Sequence, residues 1–226
     1  MNLLLLVFAA VVATGPSGLF GPAAQATGGS FELVDRVAAT VERDVITISD
    51  VEWQAKISFI QAEGPQNLAF ALSSREYINR ILDFLINQTL IVQEMKKQGP
   101  SEFAFTEDEA KEELSQFKSK FPSEAEYRQF LKSSGMKEDI LRGFLVKSSI
   151  AERFLNKKLR EGVTVSSEDT IEFCQKNSAV LPGIKCAPDS VQVREILIKK
   201  EVESAAGPYL KELRGKYKTS ILVDFN

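Results

Sequence analysis

Two cysteines, Cys174 and Cys186, and the absence of any histidine bound the chemistry open to this 226-residue chain. The cysteine spacing is far wider than the C-x-x-C of a redox pair, and without imidazole a zinc site would need carboxylates to complete its shell. The pair straddles Pro182-Gly183, where the chain can fold back on itself. In an oxidising compartment an even, isolated pair is most simply a structural disulfide, with two unpaired thiols as the alternative. Closing so short a loop stabilises by about 3 kcal/mol in the chain-entropy model. No Ser-His or Cys-His nucleophile can be built without histidine, and neither a G-x-x-x-x-G-K-S/T nor a G-x-G-x-x-G phosphate loop occurs. A Ser-Lys dyad or a carboxylate pair stays open on composition alone. The acids, however, gather as in Glu107-Asp108-Glu109 and Glu112-Glu113, where a helix dipole and solvation account for them. The expectation is a protein that is not an enzyme, with no metal and no cofactor.

Residues 1–31 hold no charged side chain, Leu3 to Ala13 is an apolar run, and Ala24-Gln25-Ala26 is a small-x-small cleavage site. This reads as a signal peptide over 1–26, with an uncleaved membrane anchor as the alternative. The whole chain is 44% hydrophobic and 26% charged with net charge −3, the balance of a soluble globular protein. It has no basic stripe of the kind that releases counterions from phosphates, so no nucleic acid partner is expected.

Five capping pairs mark helix starts: Ser49 with Glu52, Ser73 with Glu76, Thr106 with Glu109, Ser123 with Glu126, and a weaker Ser166 with Asp169. The apolar spacing predicts long helices over about 75–98 and 137–160, with shorter ones over about 107–120 and 124–132 between them. Two β-branched runs, 37–41 and 45–48, read as a hairpin. Residues 191–198 and 221–225 also read as strands, with a helix over about 201–218 between them. A lone hairpin is marginal in water, so the C-terminal strand is expected to return and close one small sheet across the length of the chain.

These elements carry a resemblance. Val34-Asp35-Arg36-Val37, then Asp44-Val45-Ile46-Thr47-Ile48-Ser49-Asp50-Val51, then Ile81-Leu82-Asp83-Phe84-Leu85-Ile86 follow the strand, turn, strand, cap and long-helix order of the SurA-like periplasmic chaperones. The resemblance covers about 34–165. It implies a mainly α fold with a small β-sheet (α+β), a helical chaperone module over 27–165 closed by a C-terminal segment, 166–226, that packs back on it. Many family members also carry parvulin prolyl isomerase domains. Here Val193-Arg194-Glu195-Ile196-Leu197-Ile198 looks like the first strand of one, but Glu195 stands where the histidine would be, and 28 residues after Ile198 are far too few for a domain.

The resemblance therefore implies a periplasmic protein that binds unfolded, nascent or envelope-bound polypeptides without catalysis, in outer membrane protein assembly and with transient proximity to the membrane. No small-molecule cofactor is implied. The alternatives are a prolyl isomerase and a dedicated subunit with one fixed partner. For the peptide-binding surface the candidates are Trp53 and Phe59 on the first helix, Phe103 and Phe105 in an exposed-looking loop, and Phe144. Any groove is expected between the helices starting at Arg75 and Lys137, or beside the first helix. Aromatics at helical spacing more often fill a core than meet a partner.

Overall fold

A two-residue turn at Glu42-Arg43 folds strand β1 (Val37–Val41) antiparallel onto β2 (Asp44–Thr47), pairing Val41 with Asp44 and Thr40 with Val45. The computed structural model describes residues 35–177, 187–223 and 225; the expected signal peptide and Cys186 lie outside them. After the hairpin come helices α1 (Ile48–Glu63), α2 (Leu68–Leu72), α3 (Arg75–Gln98), a 3-10 turn over Pro100–Phe103, α4 (Glu107–Lys118), α5 (Glu124–Ser134), α6 (Glu138–Arg160), α7 (Ser167–Asn177) and α8 (Val191–Lys216). Strand β3 (Thr219–Ile221) ends the order and pairs antiparallel with β1, giving a sheet ordered β2-β1-β3. The fold is thus mainly α with a small three-stranded antiparallel sheet, and the C-terminal strand does return to the hairpin.

Two large apolar cores and a small cluster of Cys174, Val193 and Leu197 between α7 and α8 hold these elements. The larger lies under the sheet: Ala38, Ala39, Val41 and Ile46 pack with Ile81, Leu85 and Leu90 of α3, Phe154 and Leu155 of α6, and Val202, Ala206 and Leu213 of α8. The smaller is aromatic, where Phe117, Phe121, Tyr127 and Phe130 of the α4–α5 arm meet Ile57 and Ile60 of α1 and Leu141 and Leu145 of α6. Its rings sit 5.4 to 6.1 Å apart, the spacing at which edge-on and tilted aromatic pairs add to simple burial.

The end of α8 is fastened by charge. Glu94 of α3, 6% exposed, accepts hydrogen bonds from Tyr217 Oη and Lys216 Nζ, both at 2.6 Å, and from Gln98 Nε2 at 2.8 Å. Arg214 reaches Asn87 Oδ1 at 2.9 Å and Asp83 Oδ1 at 3.0 Å, while Glu42 N–H donates to the Lys218 carbonyl at 2.8 Å. Desolvation raises the Glu94 pKa, but the bonds from Lys216, Tyr217 and Gln98 outweigh it and hold the carboxyl down at about 2. Its folded-state pKa lies below the unfolded value, so its stabilisation is full above about pH 4.5 and is lost as pH falls toward about 2. We expect acid unfolding of the intact chain to steepen in that window, and Glu94→Gln to flatten that part of the curve by on the order of 2 kcal/mol. Urea midpoints measured between pH 5 and pH 2 check it; parallel curves for the two proteins would refute the assignment.

Several local expectations need correction. Residues 191–198 are not a strand but the first two turns of α8. Ser190 caps the helix by accepting from Val193 N–H, and Val193 and Leu197, four apart on one helical face, bury against Cys174. Period-two alternation of valines gave way to that i, i+4 pair, so a parvulin-like strand does not exist here. The first helix is capped by Thr47 with Asp50 in a full capping box, not by Ser49 with Glu52. Likewise Ser74, not Ser73, caps α3. The pairs Thr106–Glu109 and Ser166–Asp169 are reciprocal, and Ser123 accepts from Glu126 N–H. The final ladder covers Thr219–Ile221 rather than 221–225, although Leu222 N–H still bonds the Ala38 carbonyl at 2.9 Å.

Candidate functional site

A groove opens where the hairpin meets α1, α3 and α6. The face of α6 made by Ile140, Gly143, Phe144 and Lys147, at i, i+3, i+4 and i+7, forms one wall. Leu85 of α3 adds to it, and Val45, Ile46 and Asp50 of β2 and α1 stand opposite, enclosing about 200 Å³. Val45 is 52% exposed although apolar. Phe144 is held from behind by Trp53, edge-to-face at 6.2 Å, and Trp53 is fixed by its indole N–H donating to the Ser134 carbonyl at 3.1 Å.

Polar groups ring the groove. Lys147 Nζ lies 3.4 Å from Thr89 Oγ1; burial draws its pKa down, opposed by the charges of Asp44 and Asp50. Asp50 accepts from Thr47 N–H at 2.9 Å, and Asp44 accepts from Gln93 Nε2 at 2.6 Å with Lys96 at 4.0 Å. Beside Lys147, Gln88 and Ser148 share a buried hydrogen bond of 2.8 Å across the α3–α6 contact. No nucleophile is paired with a base in this arrangement, and among the described residues no three acids or cysteines cluster as metal ligands. The groove offers an apolar wall with charged groups of both signs at its rim.

Two larger cavities carry less. One of about 450 Å³ between α6 and α8 has its charges spent on internal pairs, Arg160 with Glu195 at 2.6 Å and Lys157 with Glu102. The other, of about 560 Å³ beside α7, runs up to Asn177, where the described chain stops.

A model of the SurA-like N-terminal domain matches residues 1–160. The chain belongs to this family. No curated protein matches it. The SurA-like match ends at the last residue of α6, so α7, α8 and β3 lie beyond it, although β3 completes the sheet and α8 the larger core. Among the described residues no helix is long and apolar enough to cross a membrane.

Of the five aromatic candidates, the SurA-like fold brings two together. Trp53 and Phe144 touch, and Phe144 lines the groove. Phe103 is not exposed: it is buried, edge-to-face with Phe154 at 5.2 Å, because the 3-10 turn folds it into the larger core. Phe105 is half-buried beneath the Arg153 guanidinium at 4.5 Å, and Phe59 half-buried against Tyr77 at 6.4 Å. Neither reaches the groove. Sequence reasoning missed Val45, Ile140, Gly143 and Lys147, although the α6 set was there as a helical stripe mixing apolar, glycine and basic residues. It also missed α2, where Leu68 and Leu72 anchor on the two cores and Phe70 is left 81% exposed.

Proposed function

We propose that this protein is a periplasmic chaperone-like factor that binds unfolded or envelope-bound polypeptides, in outer membrane protein assembly, without catalysing a reaction. The observation that carries the reading is the groove at the junction of β2, α1, α3 and α6, with apolar walls from Val45, Leu85, Ile140 and Phe144, in a chain of the SurA-like N-terminal domain family. The leader-like residues 1–26 support export.

The test is light scattering of a denatured β-barrel protein diluted into buffer with the folded chain at rising molar ratio. Suppression that grows with the ratio supports the reading. A folded chain that suppresses nothing at any ratio overturns it in favour of a dedicated subunit with one partner. Proline-limited refolding accelerated by the pure chain would instead make it an isomerase.

The same reading includes a Cys174–Cys186 disulfide. It is supported by the two-cysteine inventory and by Cys174 lying buried, 4% exposed, against Val193 and Leu197. Alkylation without reductant should leave both cysteines unlabelled, and reduction should destabilise the chain by about 3 kcal/mol. Two alkylated thiols in the exported protein would remove the bridge.

A further inference from the structure

The hydrogen bonds of the sheet decide which way Val45 faces. Glu42 N–H bonds the Lys218 carbonyl and Leu222 N–H the Ala38 carbonyl, so the main-chain groups of Ala38, Thr40 and Glu42 turn toward β3. By alternation, those of Ala39 and Val41 turn toward β2, where Ala39 meets Ile46 and Val41 meets Asp44. Val45 lies between these two partners, so its N–H and C=O point to the open side of β2. Among the described residues no strand lies beyond β2. The groove begins at that edge.

Gly143 is the second observation. It sits inside α6 without positive φ, and a Cβ built there meets nothing within 4 Å. Helix propensity favours alanine at such a position, and no packing demand of the chain itself calls for glycine. What the missing side chain leaves is room in the groove wall. The third observation is charge: Lys147 brings one sign to the groove, and Asp44 and Asp50, whose charges it senses, bring the other. An incoming ion of either sign would meet a like charge, and its desolvation would be costly.

Resting on the chaperone reading, we propose that the groove takes an extended client segment whose main chain adds to β2 at Val45 and whose uncharged side chain seats over Gly143. Strand addition supplies affinity that does not depend on client sequence, and the pocket adds a filter against charge. This suits a binder of many unfolded chains.

The probe is a labelled serine–threonine peptide with one central leucine, titrated by fluorescence anisotropy against the full chain, with denatured β-barrel scattering run beside it. Gly143→Leu should raise the peptide Kd roughly tenfold or more, and Gly143→Ala less, while neither lowers the melting temperature. N-methylation of the residues flanking the leucine, or aspartate in its place, should weaken binding of the wild-type chain by a similar factor. Wild-type affinity in Gly143→Leu, indifference to N-methylation, or failure to bind the leucine peptide at all would overturn the inference. If the wild-type chain still suppresses barrel aggregation in that event, the chaperone reading stands and only its binding mode falls. Loss of suppression itself would sink the chaperone reading.

Discussion

A chain ending at Arg160, the limit of the family match, is expected not to fold cooperatively. It would lose β3 from the sheet and Val202, Ala206, Leu213 and Tyr217 from the larger core. It would also take from Glu94 the bonds of Lys216 and Tyr217. Each large apolar side chain removed forfeits about 1.5–3 kcal/mol of burial and uncovers the apolar surface it packed against. The sum reaches or exceeds the roughly 5–15 kcal/mol total stability of a domain. Circular dichroism melts of this fragment beside the full chain check the claim; a sharp transition in the fragment would show that the matched region is an independent domain.

Phe117→Ala is expected to detach the α4–α5 arm while the sheet-centred core survives. Phe117 is 2% exposed and stacks with both Phe121 and Phe130, so truncation costs about 3–5 kcal/mol. That cost falls on one core only, because the aromatic cluster shares none of its buried residues with the larger one. Beyond the rest of that aromatic cluster, the arm is held by largely exposed ion pairs, such as Arg142 with Glu107 and Arg153 with Glu109, both at 2.8 Å, which contribute little each. Hydrogen exchange should show α4 and α5 amides losing protection by two or more orders of magnitude, with α3 and β1 amides nearly unchanged. Uniform loss across both cores would mean that they fold as one unit.

Much of this was legible in the sequence where local signals agreed. The helix over 75–98 was read to its ends because Arg75 follows a serine cap and Gly99, in a left-handed conformation, closes it. The return of a C-terminal strand followed from the insufficiency of a lone hairpin. Errors arose where two local codes competed. Thr47 and Ser49 are both plausible caps, and the reciprocal bonds with Asp50 select Thr47. The segment after Ser190 has strand-like composition, yet its register against Cys174 makes it helical. The groove lies at the helices where one was expected, and of the expected residues only Phe144 lines it. Aromatic count pointed to Phe103, which a 3-10 turn buries, whereas the wall rests on a glycine and on the open edge of a strand, neither of which hydrophobicity reports.

The order of the sheet also sets a clock. Its central strand, Val37–Val41, is made long before the strand that completes it, Thr219–Ile221. Loop closure over that separation must precede any ladder bond between them. The contacts that lock the sheet therefore become possible only once Thr219–Ile221 has been made, and until then the nascent chain carries β1 with one edge open.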